Sequence, residues 1–267
     1  MNLHIKLFCV LLSLLLLCSC GMIRPADTEA EAEETEGTET TSPVEEIRPR
    51  KDGETVICLD AGHGFRDVGC DTPLINGTEA DVTIAVTLLL KEKLEELGAR
   101  VVLTHDGKTY PSMSEICDLA DGAGVGYVAD KMEDNDIFSA YERGIYASAI
   151  DKNERFDLFL SLHVNSIEGH PEVSQYEIDY YKGNIYADSL AELCQSLSDV
   201  LDNKSVIHAK DRANAFIVTK AGVHPSILLE MGYATNKTDA EKMNSQQWRE
   251  DFCEKVAKTV VQWVEAQ

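Results

Sequence analysis

Short runs of apolar residues, each bounded by glycine or polar residues, recur along the chain and predict strands. The longer segments between them place apolar residues three or four positions apart, which predicts amphipathic helices. Strand, helix and strand in alternation is typical of a parallel α/β sheet. The predicted strands are residues 56–59, 100–104, 157–163, 176–181, 216–218 and 227–229, and the predicted helices are residues 80–97, 137–151, 185–201 and 246–266.

Three other segments break this pattern. Residues 1–19 contain a lysine and then an almost unbroken apolar run, which is short for a membrane span and typical of a signal peptide. Residues 20–52 are rich in Glu and Thr, and we expect a disordered acidic tether because they cannot bury enough apolar surface. Residues 53–267 then form one folded domain. Inside it, residues 106–136 are polar and contain glycines, which predicts a long loop or insertion.

Composition narrows the classes of partner. The formal net charge is −23 at pH 7, which is unsuited to a polyanion, so we expect no nucleic-acid partner. Five of the eight cysteines lie in residues 53–267, and none of them has CxxC spacing. The odd number argues against a disulfide framework, and the spacing excludes a zinc ribbon.

Predicted strands end in residues that can carry out chemistry. His63 follows the first strand at a glycine turn, His163 ends a second strand, and Glu230 follows a third. The ends of parallel strands meet at one edge of a sheet, so these side chains should converge. Glu79 begins the first amphipathic helix, where the helix N-terminus favours the ionised carboxylate. His63, Glu79 and His163 can therefore ligate a single Zn²⁺, which leaves Glu230 to transfer protons between water and a leaving nitrogen.

The sequence around these residues resembles a known family. The zinc-dependent N-acetylmuramoyl-L-alanine amidases of the amidase 3 group have similar motifs in the same order, and the resemblance extends from about Thr55 to Val264. The matching positions are residues 59–64 with Asp67 and Gly69, residues 77–79, Arg143 with Ala147, residues 157–165, and residues 225–233 with Asn236.

The resemblance implies a single α/β domain with a mixed, mainly parallel sheet flanked by helices, similar to zinc exopeptidases. It implies hydrolysis of the amide that joins N-acetylmuramic acid to L-alanine in peptidoglycan. It also implies that His63, Glu79 and His163 are the zinc ligands and that Glu230 is catalytic. The chain departs from the family at Phe65, where a second glycine is usual, so the shape of its groove should differ.

Further residues are candidates for contacts around the metal ligands or with the substrate. Asn165 follows the strand of His163, and His224 precedes the strand that ends near Glu230. Both are predicted to support the ligands or touch the substrate. His105 is a weaker candidate for a fourth ligand.

The end of the signal peptide suggests a membrane anchor. The segment Leu17-Cys18-Ser19-Cys20-Gly21 resembles a bacterial lipobox, with cleavage before Cys20 and lipid added to its thiol. An extracytoplasmic lipoprotein held on a membrane by acyl chains is therefore predicted, and an ordinary secretory signal is the alternative. The sequence does not identify an activating protein partner.

Two other functions fit the same residues. A zinc peptidase or carboxypeptidase acting on stem peptides would share the metal and Glu230 but would have a different groove. A catalytically dead, lipid-anchored wall-binding module would bind zinc without turnover. Product masses distinguish these functions, because an amidase separates the whole stem peptide from the sugar.

Overall fold

The computed structural model describes residues 50–132, 137–201, 205–220 and 224–267. These residues form a sheet flanked by helices. The strands are β1 (Val56–Ala61), β2 (Arg100–Leu103), β3 (Leu158–Asn165), β4 (Glu177–Tyr181), β5 (Val206–Lys210) and β6 (Ser226–Tyr233). The helices are α1 (Glu79–Glu96), α2 (Met113–Ala123), α3 (Ala140–Glu154), α4 (Ala187–Leu201), the single turn α5 (Ile217–Lys220), α6 (Lys237–Asn244) and α7 (Gln246–Glu265), with a 3₁₀ turn at Ala129–Lys131.

The sheet is mixed and mainly parallel, as the family resemblance implies. The strand order is β2-β1-β3-β6-β4-β5. The first four of these strands run parallel, whereas β4 is antiparallel to β6 and parallel to β5. Because β4 is reversed, its first residue, Glu177, lies opposite Glu230. The connection over residues 166–176 therefore begins and ends at the edge of the sheet where β3 and β6 finish.

Helices cover both faces of the sheet because neighbouring residues of the central strands point in opposite directions. Leu160 faces a core layer built with α1, α4, α6 and α7, to which Val86 and Val260 contribute fully buried side chains. Phe159 faces the other layer, where α2 and α3 pack and Ile116 is buried. A central strand buried on both faces explains the continuous apolar runs in the sequence.

The prediction of a long loop over residues 106–136 is wrong for its middle part, which forms α2. Ser112 caps this helix, and its hydroxyl accepts a hydrogen bond from the Glu115 amide while the Glu115 carboxylate accepts one from the Ser112 amide. Ile116 and Ala120, one turn apart, are its buried residues. The apolar stripe of α2 is narrow and lies among acidic residues and glycines, so hydrophobic periodicity did not predict this helix. The Ser-x-x-Glu capping pattern, however, is present in the sequence.

Residues 216–218 were predicted to form a strand, but Ile217 begins the one-turn helix α5. β4 is already paired with β6 and β5, so this apolar run instead packs Val218 against the layer formed by α2 and α3. The strand β5 was not predicted, and it contains His208. As an edge strand it is short and only partly buried, so its sequence lacks an apolar run. The helix α6 also escaped prediction.

A buried ion pair joins the sheet to α3. The carboxylate of Asp60 accepts hydrogen bonds from Arg143 Nε at 2.8 Å, Thr104 Oγ1 at 2.7 Å and Ser161 Oγ at 2.7 Å. Burial raises the pKa of Asp60, but the Arg143 charge and the two hydroxyl donors outweigh it and lower that pKa. Arg143 also donates from Nη1 to the carbonyl of Phe138 at 2.8 Å. One carboxylate thus joins the end of β1, the middle of β3, the residue after β2 and the first turns of α3.

Residues 1–19 and nearly all of residues 20–52 lie outside the described part of the chain. The signal peptide, the tether and Cys20 therefore stay predictions. Within the described ranges, the helices are too short or too polar to cross a membrane.

The Asp60–Arg143 pair gives a stability prediction. Arg143→Met should lower the free energy of unfolding by about 3–5 kcal/mol, because it leaves the Asp60 carboxylate buried without its counter-charge. Lys258→Met is the matched control, since Lys258 pairs with Glu254 on the exposed surface of α7 and a much smaller loss is expected there. Urea unfolding of both variants at pH 7 measures the difference, and losses of similar size would contradict the assignment.

Candidate active site

The predicted site residues converge at one edge of the sheet. His63 lies just after β1, His163 lies near the end of β3, and Glu79 is the first residue of α1. One potential ligand atom from each of these residues lies within 4.8 Å of the other two. Glu230 pairs in register with His163 on the neighbouring strand, so its side chain leaves the same face of the sheet. The sheet thus brings all four residues together.

Glu79 lies at the centre of this arrangement. Its Oε1 is 3.2 Å from His63 Nε2 and 3.2 Å from His163 Nδ1. Backbone amides fix the carboxylate, since Val164 donates to Oε1 and Cys70 donates to Oε2, each at 2.9 Å. Burial raises the pKa of Glu79, but hydrogen bonds from the two histidines and their positive charge lower it well below its usual range. The carboxylate is therefore held as an anion.

Asp67 sets the orientation of the His63 ring. His63 Nδ1 lies 2.9 Å from Asp67 Oδ2, and an ionised carboxylate can only accept, so Nδ1 donates. In neutral His63 the lone pair of Nε2 then faces the Oε1 lone pairs of Glu79. This contact is favourable only with a proton or a metal cation between the two atoms. Burial lowers the pKa of His63, but Glu79 and Asp67 raise it, and their effect is the larger one.

The geometry and the donor types fit zinc. Two imidazole nitrogens and one carboxylate oxygen form a set that catalytic zinc sites use, and such sites keep a further position for water or substrate. A ring nitrogen oriented by a hydrogen bond from the other nitrogen to a carboxylate is also typical of metal-bound histidine. His63, Glu79 and His163 could therefore hold the ion.

Glu230 has surroundings unlike those of Glu79. It is 8% exposed, and its Oε2 has no hydrogen-bond partner among the described residues. Burial raises the pKa of Glu230 to about 8, and the carboxylates of Glu79, Asp179 and Glu177 add to the shift. Two carboxylates at one edge of the sheet thus differ in proton affinity, as the acid–base groups of enzymes commonly do.

A polar group that the sequence did not predict lies beside Glu230. Glu177, directly across the strand pair from Glu230, accepts hydrogen bonds from the Tyr233 hydroxyl and from Gln175 Nε2 at 2.9 Å. Asn165 Nδ2 donates to the same carboxylate at 3.4 Å, so this predicted supporting residue contacts Glu177 rather than a metal ligand. Only strand pairing brings these residues together, and spacing along the chain gave no signal for it.

His224 does not reach the site. It lies before β6, at the opposite end of that strand from Glu230, and is buried between the rings of Phe156 and Phe159. Its Nδ1 is 3.6 Å from Asp151 Oδ2, which is too long for a hydrogen bond. The prediction that His224 supports the ligands or touches the substrate is therefore wrong. The prediction rested on the closeness of His224 to Pro225 and β6 in the sequence, but the length of β6 separates His224 from Glu230.

His105 supports the turn of His63 and does not belong to the ligand group. Its Nε2 lies 2.9 Å from the carbonyl oxygen of Ala61, and its ring is buried. A Cβ atom at Gly64 would lie 2.9 Å from His105 Cε1, so the ring packs directly under that glycine. Burial lowers the pKa of His105, which favours a neutral ring that serves packing.

Comparison with known proteins identifies relatives of the chain. Residues 57–262 match the Amidase_3 family, described as N-acetylmuramoyl-L-alanine amidase. The uncharacterized protein YqiI of Bacillus subtilis (strain 168) is 28% identical over 231 residues, which cover 85% of this chain and 91% of YqiI. The germination-specific N-acetylmuramoyl-L-alanine amidase of the same organism is 25% identical over 211 residues, which cover 78% of this chain and 79% of that protein.

Solved structures share the fold. The CwlD amidase from Clostridioides difficile, in complex with the GerS lipoprotein, superimposes with a TM-score of 0.58 at 21% identity, over 80% of this chain and all of that one. Some curated relatives are longer proteins, and this chain spans 33% to 54% of their length. The family match extends over most of the domain, from β1 to α7, and includes the strands that carry the site. The chain therefore belongs to the N-acetylmuramoyl-L-alanine amidase family.

Proposed function

We propose that this amidase is a zinc enzyme of the cell wall that hydrolyses the amide between N-acetylmuramic acid and L-alanine in peptidoglycan. The observation that carries the proposal is the convergence of His63, Glu79 and His163 beside Glu230, whose buried Oε2 has no hydrogen-bond partner in the described chain. The family match supports the reaction class. The ordered backbone and side-chain contacts to Glu79 and His63 support a metal site.

In this proposal, His63, Glu79 and His163 hold a single Zn²⁺, which when bound supplies Lewis acidity for the carbonyl and for water. Glu230 takes a proton from the attacking water as its oxygen bonds to the carbonyl carbon. Glu230 then gives that proton to the leaving nitrogen as the carbon–nitrogen bond breaks. The pKa of about 8 applies to the metal-free protein, and a bound Zn²⁺ would lower it, which leaves the Glu230 carboxylate free to accept the first proton.

Product analysis tests the proposal directly. The purified protein is incubated with peptidoglycan, and the masses of the soluble products are measured by mass spectrometry. The metal content of the protein is measured in parallel. The products are expected to be whole stem peptides with a free N-terminal alanine, and the protein is expected to contain bound zinc. Shortened stems still joined to sugar would instead indicate a peptidase, and bound zinc without turnover would indicate a wall-binding module.

The two glutamates should respond differently to the same substitution. Glu230→Gln keeps the shape of the side chain but removes the proton acceptor, so zinc should stay bound while the hydrolysis rate falls about 10²–10⁴-fold. Glu79→Gln weakens a ligand, so zinc content should fall first, and added zinc should partly restore activity. Metal content and rate are measured for both variants. Rescue of Glu230→Gln by zinc, or a near wild-type rate in that variant, would reverse the roles.

Gly62 gives a test of the metal site that changes no ligand. A Cβ atom there would lie 2.5 Å from His163 Cε1, and the φ angle of Gly62 is not positive, so alanine should fit the backbone but displace the ring. Gly62→Ala should therefore weaken zinc affinity about 10–100-fold, the usual effect of disturbing a supporting contact. Gly122→Ala is the control, because no described atom lies within 4 Å of its added Cβ. Unchanged affinity in Gly62→Ala would contradict the assignment of His163.

For location, we propose an extracytoplasmic lipoprotein in which residues 1–19 are removed, Cys20 carries the lipid and residues 20–52 link the anchor to the domain. Cys20→Ala should release the protein from membranes or leave the signal uncleaved, because the acyl chains supply the anchoring free energy. Membrane fractionation with mass spectrometry of the native N-terminus measures both outcomes. An unmodified Cys20 at the N-terminus of the native protein would refute the anchor.

A further inference from the structure

Phe65 occupies a backbone position that favours glycine. Gly64 and Asp67 exchange two backbone hydrogen bonds, of 2.7 and 3.0 Å, which makes Phe65 and Arg66 the central residues of a tight turn. The φ angle of Phe65 is +58°. A turn with positive φ at its first central residue normally carries glycine there, because a bulky side chain is strained in that conformation. The turn itself therefore does not explain a phenylalanine at this position.

The side chain of Phe65 accounts for its presence. Its ring packs on Tyr110, with 3.9 Å between the ring centroids, and on the buried His105, with 5.3 Å between centroids. Phe65 and Tyr110 are both only half-buried, so the pair keeps an aromatic surface open to solvent. We call these two rings the aromatic ledge. The strained backbone thus holds a ring that packs against the core on one side and stays open to solvent on the other, and such strain is often found at binding sites.

The aromatic ledge lies on one flank of the metal ligands. Phe65 is two residues beyond His63, which puts their Cα atoms within about 7 Å of each other. Tyr110 follows β2, the edge strand on that side of the sheet. The opposite flank, on β6 and β4, carries the polar side chains of Glu177 and Tyr233. A substrate whose scissile amide lies at the ligands therefore meets aromatic surface on one side and polar groups on the other.

The substrate of the proposed reaction is asymmetric in the same way. On one side of its amide, a short lactyl linker leads to a pyranose ring, whose C–H face is large and apolar. On the other side, the first residue is an alanine with a single methyl group. The C–H face of a sugar carries a slight positive potential and the face of an aromatic ring a negative one, so the two attract as they stack.

We propose that the aromatic ledge stacks on the pyranose ring of N-acetylmuramic acid and so fixes the side of the scissile amide on which the sugar lies. The inference rests on the proposed function and adds to it a residue, Phe65, that selects the sugar half of the substrate. The stem peptide then extends toward Glu177 and Tyr233.

Two substrates with the same scissile amide test the proposal. One is an N-acetylmuramoyl peptide, and the other is a D-lactoyl peptide of the same sequence, which lacks the sugar. Values of kcat and KM for both are measured with the full-length protein and with Phe65→Gly and Phe65→Tyr. Glycine suits the positive φ, so that variant should fold, and tyrosine keeps the ring. Tyr186→Ala is the control, since Tyr186 is 41% exposed and lies near His224, away from the site.

Phe65→Gly should lower kcat/KM for the muramoyl peptide about three- to tenfold, mainly through KM, which is the size of one aromatic contact. The lactoyl peptide should be cleaved as well as by the wild type, and Phe65→Tyr should keep the sugar preference. Tyr186→Ala should change neither substrate. Equal losses on both substrates would mean that Phe65 only supports the His63 turn, and an unchanged preference would also overturn the proposal.

A binding measurement separates this inference from the proposed function. The disaccharide of N-acetylglucosamine and N-acetylmuramic acid, which has no stem peptide, is titrated into metal-free protein and followed by saturation-transfer NMR. Contacts from protein to the sugar C–H face that vanish in Phe65→Gly would support the aromatic ledge even if the wild type cleaves neither peptide. Absence of those contacts in the wild type would overturn it, whatever the enzyme hydrolyses.

Discussion

The buried contact between Asp60 and Arg143 is the constraint on which the catalytic edge depends. Asp60 precedes the turn of His63, and its carboxylate also accepts hydrogen bonds from Thr104, just after β2, and from Ser161, in the middle of β3. A charge in this position would be costly without Arg143, because desolvation of a carboxylate exceeds the gain from neutral partners. The pair therefore fixes where β1 ends relative to β3, and with it the separation of His63 from His163.

Above this pair, the site keeps two carboxylates in opposite states by giving them different neighbours. Glu79 receives backbone amides and imidazoles, which stabilise the anion. Glu230 receives no donor on Oε2 among the described residues and faces other acids, which stabilise the protonated form. The difference follows from topology, since Glu79 begins a helix whereas Glu230 lies within a strand between two others. One group is thus suited to hold a cation and the other to exchange a proton.

Local patterns predicted what depends on neighbours in sequence. The apolar runs revealed β1, β3 and β6, and the start of the amphipathic stripe placed Glu79 at the first turn of α1. Contacts between distant residues left no such pattern. Asp60 and Arg143 are 83 residues apart, and Glu177 reaches Glu230 only because β4 is reversed. His224 was misplaced for the same reason, because closeness to β6 in sequence does not tell which end of the strand a residue occupies.

The reversal of β4 also makes the connection over residues 166–176 independent of the strand registers that position the site. Residues 166–176 leave β3 and enter β4 at the same edge, and the ladders that fix both strands lie outside this segment. Ser166, Ile167 and Pro171 line an open cavity of about 750 Å³ next to Cys70. Insertions there cost little loop-closure entropy and shift no strand register. The length of this segment can therefore change with little effect on the positions of His63, Glu79, His163 and Glu230.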